Sequence, residues 1–401
     1  MNLQKRSFEA ICIKDDMIEN HHAHVLPIYA TSTFVYEDIE SAMDYFKGKS
    51  DTHAYSRMSN PTPDFVAKKI AQLEGFDEEK SLQTYGVLFG SGMAAISSAI
   101  LACIAAGQKV VTTNNIYGTS NQFLASTLNT LGVGLIYSDL KDLDILEKLL
   151  ESDKNIKVIY IETPTNPTLE CYDLATIAAI AKKYDVFTIV DNTFSTPYLQ
   201  RPLLLGFDIV VHSGTKFLNG HGTGISGVAV TSDESLYKKI NQNKKVFGGI
   251  CSPFEAYLLN NGIRTLCIRM KKHQENAQQL AEFLEQHPKI KKVNYLGLKS
   301  HADHNLAKKQ MFGFGGMLSF EIDGDFDTAI QFMKNIKFCT VTATLGTTDT
   351  LLTHNASTSH SNVPKEQRIA AGISDSLIRC SVGIENIRDV INDIEQALSL
   401  L

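Results

Sequence analysis

The sequence lacks the features of a membrane-spanning, secreted or nucleic-acid-binding protein. Its 401 residues contain no run of about eighteen consecutive apolar residues, the length that a transmembrane helix needs. The opening residues contain no apolar stretch ending in small residues, as a secretory leader would, so we expect a cytoplasmic protein with no membrane partner. Acidic residues outnumber basic ones by 44 to 38, and the net charge of −6 argues against a nucleic-acid partner.

Cysteine is scarce, and its spacing excludes a disulfide framework or a zinc-binding C-x-x-C pair. The seven cysteines are odd in number, widely separated and mostly within apolar runs, so we expect reduced thiols in the core: Cys12, Cys103, Cys171, Cys251, Cys267, Cys339 and Cys380. His21, His22 and His24 lie close together, but no second group of ligands follows nearby. We therefore expect no metal site.

What the sequence does contain is a regular alternation of strands and helices. With 43% hydrophobic residues, the chain can bury a full core divided into two or three units. Residues 1–65 show no such alternation and predict an extended N-terminal arm. Residues 66–255 alternate apolar strands with helices, which predicts an α/β domain with a mostly parallel central sheet and helices on both faces. Residues 256–401 mix helices and strands in another order and predict a smaller α+β domain.

Chemically active residues follow five of the predicted strands. In an open parallel sheet, ligands bind outside the carboxyl ends of the strands. A glycine-flanked turn at residues 90–93 follows "YGVLF", and Tyr117 follows "KVVTT". Asn166 follows "KVIYIE", Asp191 ends "FTIVD", and Lys216 follows "DIVVHSGT". We therefore expect a nest of backbone N–H groups, an aromatic ring, an amide, a carboxylate and an amine at one sheet edge.

One cofactor, pyridoxal phosphate, would use all of these groups. The glycine-flanked helix start can bind a phosphate, with Ser213 and Thr215 as further donors. The Lys216 amine can bind an aldehyde, the Asp191 carboxylate can pair with a pyridinium nitrogen, and the Tyr117 ring can stack on the cofactor. Taken singly, these residues could equally be a solvated strand-end lysine, a helix-capping aspartate and a packing tyrosine. Their shared order and spacing favour the cofactor.

Eight segments together resemble a known family. They are "LPIYATSTF", "YSRMSNPT", "FGSGMAAI", "NNIYG", "IETPTNPT", "IVDNTFSTPY", "VVHSGTKFLNGHG" and "LIRCSVGIE". In this order they resemble the transsulfuration-type pyridoxal-phosphate enzymes of cysteine and methionine metabolism. That family includes methionine γ-lyase, cystathionine γ-lyase, cystathionine γ-synthase and O-acetylhomoserine sulfhydrylase. The resemblance implies the aspartate aminotransferase-like pyridoxal-phosphate transferase fold, fold type I.

The resemblance also implies a role for each matching residue. Lys216 and Tyr117 would be catalytic, with Lys216 bound to the cofactor aldehyde. The implied cofactor-binding residues are Lys216, Asp191, Tyr117, Gly92, Met93, Ser213, Thr215, Thr193, Tyr55 and Arg57. The implied binding residues for the amino-acid substrate are Arg379, Asn166 and Thr344. Because Tyr55 and Arg57 would reach the site of a neighbouring subunit, the resemblance implies a homodimer with shared active sites, or a homotetramer.

Two positions bear on the substrate. Cystathionine-processing members of the family usually have an acidic residue where Ala343 lies and a basic residue where Gln122 lies. Their absence here favours a small substrate. We therefore expect a methionine γ-lyase-like carbon–sulfur lyase that acts by α,γ-elimination. The first alternative is an O-acetylhomoserine sulfhydrylase, a γ-replacement transferase, because Thr119 stands where methionine γ-lyases usually have cysteine. Cystathionine γ-lyase or γ-synthase is the next alternative.

Overall fold

The computed structural model describes residues 6–15, 22–50, 52–359, 361 and 363–401. Of the three clustered histidines, His21 lies outside these residues, whereas His22 and His24 are exposed. Within the described ranges, no three His, Cys, Asp or Glu side chains come together as a metal site requires. A search of the same ranges finds no helix with the length and apolarity that crossing a membrane would demand.

A seven-stranded sheet forms the centre of the molecule. Its strand order is β1-β7-β6-β5-β4-β2-β3, and four of its six strand pairs are parallel, while β7 runs antiparallel to both β1 and β6. The mostly parallel sheet is thereby confirmed. The strands are β1 (Tyr85–Phe89), β2 (Lys109–Thr112), β3 (Gly134–Tyr137), β4 (Ile156–Glu162), β5 (Phe187–Asp191), β6 (Ile209–Ser213) and β7 (Gly227–Thr231).

Helices cover both faces of this sheet because its central strands are apolar on both sides. In β4, Ile159 packs into one hydrophobic cluster and Tyr160 into another, as the alternation of side chains along a strand requires. The first cluster contains residues of α3 (Pro61–Glu74), α7 (Leu143–Ser152), α8 (Leu174–Lys183) and α11 (Pro253–Ile263). The second contains residues of α4 (Gly92–Leu101), α6 (Leu128–Thr130) and α10 (Glu234–Phe247). Between α5 (Gly118–Gln122) and α6, residues Phe123–Thr127 form a π-helical turn.

A second, smaller sheet follows along the chain. Its five strands have the order β10-β11-β12-β9-β8 and are antiparallel except for the β10–β11 pair. They are β8 (Ile290–Asn294), β9 (Met317–Ile322), β10 (Thr340–Val341), β11 (Leu351–His354) and β12 (Leu377–Ser381). The helices of this part are α12 (Leu266–Glu285), α13 (His304–Gln310), α14 (Phe326–Asn335), α15 (Lys365–Ala370) and α16 (Ile387–Ser399). The predicted boundary at 255–256 lies inside α11 and stays a prediction.

Among its described residues, the predicted arm contains two short helices before α3. They are α1 (Phe8–Ile13) and α2 (Ile39–Phe46); α1 buries Phe8 and Cys12, whereas α2 buries none of its residues. A single bridge between Thr33 and Tyr55 holds the segment after α2 beside the segment before it. The remaining short helix, α9 (Thr196–Leu199), follows β5.

Candidate active site

A cavity of about 280 Å³ lies at the carboxyl ends of β4, β5 and β6. The structure brings ten of the predicted site residues to its wall: Gly92, Met93, Tyr117, Asn166, Asp191, Thr193, Ser213, Thr215, Lys216 and Arg379. They come from both sheets, because Arg379 lies in the middle of β12. The residues that follow the predicted strands therefore line one cavity.

Lys216 lies three residues beyond the end of β6 and is half-buried in the cavity wall. Its Nζ donates a hydrogen bond to Oγ1 of Thr344, at 3.1 Å. Burial, together with the positive charge of Arg379, lowers the pKa of the lysine. A lowered pKa increases the fraction of the lysine that is present as the neutral, nucleophilic amine.

Two carboxyl groups lie side by side at the floor of the cavity. Glu162 and Asp191 end neighbouring strands and are paired in the β4–β5 register. Burial raises the pKa of Asp191, and hydrogen bonds from the hydroxyl and N–H of Thr193 to its Oδ1, at 2.5 and 2.9 Å, oppose that shift. Burial and the charge of Asp191 raise the pKa of Glu162 to about 8. Burial and the neighbouring charge of Asp191 therefore favour the protonated form of Glu162.

Glu162 is the residue that the sequence argument missed. It is only 6% exposed, and it accepts hydrogen bonds from the Tyr117 backbone N–H at 2.9 Å and from the Tyr160 hydroxyl at 3.2 Å. A carboxylate that ends the buried, apolar strand "KVIYIE" is a signal visible in the sequence. Its contact with the start of α5 was not visible, because residues 117 and 162 are far apart along the chain.

The first turn of α4 offers backbone N–H groups to the cavity. Ser91 caps the helix by accepting a hydrogen bond from the Ala94 N–H at 3.1 Å, and the N–H groups of Gly92 and Met93 lie outside the helical bonding pattern. A Cβ at position 92 would come within 2.9 Å of the Ser213 Cβ, so only glycine leaves room between α4 and β6. The result is a cradle suited to an anion.

Thr215 is already paired within the chain. Its hydroxyl donates to the Ser226 carbonyl at 3.2 Å and accepts from the Ser226 N–H at 3.1 Å. Its predicted bond to a phosphate would compete with this pair.

Arg379 is a buried cation without an acidic partner among the described residues. Its NH groups donate to Oδ1 of Asn166, Oγ1 of Thr353 and the carbonyl oxygens of Ala343 and Thr344, at 2.9 to 3.2 Å. Its Nε lies buried with no hydrogen-bond partner, and burial lowers its pKa to about 10. A buried guanidinium that faces a cavity in this state has the charge and geometry to pair with a carboxylate.

The predicted stacking residue Tyr117 and the predicted arm residues Tyr55 and Arg57 lie in different places. Tyr117 lies at the cavity and is 46% exposed. Tyr55 and Arg57 are outside the residues that line this cavity, and Arg57 instead donates to the Lys245 carbonyl at 2.5 Å. Of the two positions used to predict the substrate, Ala343 lines the cavity, whereas Gln122 is exposed on α5 and does not.

Comparison with known proteins agrees with this geometry. The family profile described as Cys/Met metabolism PLP-dependent enzyme matches residues 9–399. This chain belongs to that family. As a member, it is an enzyme whose cofactor is pyridoxal phosphate and whose substrate is an amino acid. The anion cradle, the lysine and the paired carboxyl groups all fit that cofactor.

Relatives within the family differ in what they do. The chain is 40% identical to the L-methionine γ-lyase of Fusobacterium nucleatum subsp. nucleatum over 401 residues, covering 99% of each chain. It is also 40% identical to the cystathionine β-lyase of Lactococcus lactis subsp. cremoris over 373 residues, 93% of each. A structure from Campylobacter jejuni, provisionally described as an O-acetylhomoserine (thiol)-lyase, carries N′-pyridoxyl-lysine-5′-monophosphate. It matches with a TM-score of 0.92 and 31% identity, over 98% of this chain and 100% of that one.

Proposed function

We propose that the protein is a methionine γ-lyase-like carbon–sulfur lyase that acts on a sulfur amino acid by α,γ-elimination. The observation that carries the proposal is Arg379, a buried guanidinium without an acidic partner among the described residues, in the same cavity wall as Lys216. A substrate α-carboxylate would pair with this guanidinium and bring its Cα towards the lysine amine.

We assign cofactor binding to residues at the cavity floor and at the start of α4. Lys216 would bind the aldehyde, and the N–H groups of Gly92 and Met93 with the Ser213 hydroxyl would bind the phosphate. Asp191, fixed by Thr193, would face the ring nitrogen. Stacking on the ring is assigned to Tyr117, whose backbone is fixed by the buried Glu162.

Each of these residues has a defined task in the reaction. Bound pyridoxal phosphate supplies an aldehyde for the substrate amine and a ring that withdraws electrons from Cα. Arg379 orients the substrate through its carboxylate, with Asn166 and Thr344 holding the guanidinium. The Nζ of Lys216 would remove the proton from Cα and pass it to the bound cofactor. The amine, neutral again, would then take a proton from Cβ, which would allow the γ-substituent to leave. The Tyr117 hydroxyl protonates the departing sulfur.

The lining of the cavity favours a substrate with one charged end. Apart from Glu162 and Asp191 at the floor, the described residues of the lining include no acidic side chain, and Ala343 supplies only a methyl group beside Arg379. The apolar Met93, Ile96 and Leu345 also lie in the wall. A methionine or homocysteine side chain needs only apolar contacts, whereas the second ammonium and carboxylate of cystathionine would each need a polar partner.

The second candidate is an O-acetylhomoserine sulfhydrylase. The similarity to the Campylobacter jejuni structure favours it, because γ-replacement and γ-elimination share their first proton transfers. A purified-enzyme panel separates the candidates. Methionine and homocysteine should yield 2-oxobutyrate and ammonia, whereas a sulfhydrylase would consume O-acetylhomoserine only with sulfide and release acetate. Cystathionine as the best substrate would instead indicate the third alternative.

The proposal also assigns a role to two exposed residues of the N-terminal arm. Because Tyr55 and Arg57 lie on the surface of one chain and outside the residues that line its own cavity, we assign them to the phosphate of a neighbouring subunit's cofactor. The functional unit would then be a homodimer or a homotetramer with shared active sites. The cytoplasmic location and the division at residues 65–66 and 255–256 stay predictions from the sequence.

A further inference from the structure

Two cysteines that are far apart in the sequence lie in direct contact, away from the active-site cavity. The Sγ of Cys12 in α1 lies 3.7 Å from the Sγ of Cys267 in α12. Cys12 is buried, whereas Cys267 is partly exposed and can be reached by a small molecule from solvent. The pair therefore combines an accessible thiol with a shielded one.

The contact is held in place by a buried ionic cluster. Asp15, just after α1, pairs with Lys69 at 2.5 Å and with Arg264 at 3.3 Å, and both carboxylate oxygens accept from Asn260 at 3.1 Å. Lys69 lies in α3, Asn260 lies in α11 and Arg264 lies just before α12. These bonds fix the end of α1 against the helices around Cys267.

The two thiols differ in acidity. The contact with the Cys12 thiol lowers the pKa of Cys267, and the positive charge of Arg269 acts in the same direction, whereas burial and the charge of Glu9 oppose the shift. The pKa of Cys12 is raised by the same contact and by burial. Each of the seven cysteines lies in the described part of the chain, and burial raises the pKa of the other five: Cys103, Cys171, Cys251, Cys339 and Cys380. Cys267 is thus the cysteine best suited to react as a thiolate.

We propose that Cys12 and Cys267 form a redox site at which a peroxide-class oxidant makes a disulfide. The Cys267 thiolate attacks a peroxide oxygen, the O–O bond breaks, and Cys267 becomes a sulfenic acid while hydroxide leaves and is protonated to water. The Cys12 sulfur then attacks the Cys267 sulfur, the S–O bond breaks and a second water leaves. Overall, two thiols lose two electrons and two protons to one peroxide, which is reduced to two waters.

The disulfide would join the arm to the second part of the chain. The two sulfurs need to approach from 3.7 Å to about 2.0 Å, a movement that side-chain rotation and a small shift of α1 can supply. Two residues after Cys267, Arg269 donates hydrogen bonds to the carbonyls of Phe217 and Leu218, directly beyond Lys216. The bond would therefore fasten α1 to the helix that supports the lysine segment.

The test is treatment of the reduced, cofactor-loaded protein with hydrogen peroxide, followed by proteolysis and mass spectrometry without reductant. We expect a cross-linked peptide pair containing Cys12 and Cys267, lighter by two hydrogens and abolished by reduction. In Cys12→Ser, dimedone should label Cys267 as the trapped sulfenic acid. The cross-link should be absent in that variant and in Cys267→Ala, because each lacks one of the two sulfurs. The matched control is Cys171→Ser, which removes a buried thiol beside Thr163 and should leave the cross-link unchanged.

Two results would overturn the proposal. One is oxidation of Cys267 to the sulfinic acid with no cross-link to Cys12 in the wild-type protein. The other is a cross-link of Cys12 or Cys267 to a third cysteine at equal yield. If Cys12→Ser does not fold, Cys267→Ala and the wild-type peptide map still decide between these outcomes.

Discussion

Replacing Glu162 by glutamine tests the assignment of protons at the cavity floor. The change keeps the shape of a protonated carboxyl: the amide oxygen can accept from the Tyr117 N–H, and the amide nitrogen can donate to the Tyr160 hydroxyl. It removes the capacity to ionise. If Glu162 holds a proton in the folded protein, glutamine is a close substitute for it at neutral pH. At higher pH, the folded protein should be more stable with glutamine than with glutamate.

The magnitude follows from the two pKa values. In the unfolded chain a glutamate has a pKa near 4.5, whereas burial and the charge of Asp191 raise the pKa of Glu162 to about 8 in the folded state. A carboxyl group whose pKa is higher in the folded state stabilises the protein fully at pH values below its unfolded-state pKa. That contribution is lost as the pH rises to the folded-state pKa. Within this window each pH unit costs about 1.4 kcal/mol, so wild type should lose about 2 kcal/mol relative to Glu162→Gln between pH 6 and pH 8.

The assay is urea unfolding of the cofactor-free protein at pH 6, 7 and 8, followed by circular dichroism. Cofactor is removed because a ligand that binds only the folded state adds its own stabilisation. Glu151→Gln, at an exposed position in α7, controls for the general effect of removing a carboxylate. Parallel pH profiles for wild type and Glu162→Gln would show that Glu162 is already ionised when folded, and the proton assignment would be wrong.

The other assignments can be tested separately. Borohydride should fix the cofactor on Lys216, shown by peptide mapping, and Lys216→Ala should keep its fold, by circular dichroism, while turnover falls by at least about a thousandfold. Arg379→Lys should lower kcat/KM by about ten- to a hundredfold because the bidentate pairing is lost; an unchanged value would remove Arg379 from the site. Mixed Arg57→Ala and Lys216→Ala subunits should regain part of the activity, and no recovery after verified exchange would place the arm in its own subunit. The native enzyme should prefer methionine to cystathionine by about ten- to a hundredfold in kcat/KM, and Ala343→Glu should narrow that gap; a native preference for cystathionine would contradict the substrate assignment.

The pattern of apolar and polar residues in short segments was sufficient to predict most of the residues that line the cavity. Apolar runs that end in Asp191 or lead to Lys216 mark buried strands, and carboxyl ends of parallel strands gather at one edge of a sheet. Arg379 could not be placed in this way, because its strand belongs to the other sheet. Only the packing of the two sheets brings its guanidinium to Asn166.

The sequence by itself therefore determined the sheet, its covering helices and the chemical groups at its edge, because these depend on the periodicity and composition of short segments. The tertiary structure alone decided which groups share an environment. It placed Glu162 beside Asp191 and within hydrogen-bond distance of the Tyr117 N–H, and it paired Thr215 with Ser226. It also placed Gln122 outside the cavity and Cys12 in contact with Cys267. The physical reason is that pKa values, hydrogen bonds and thiol contacts depend on distances between residues remote in the chain, which no local pattern encodes.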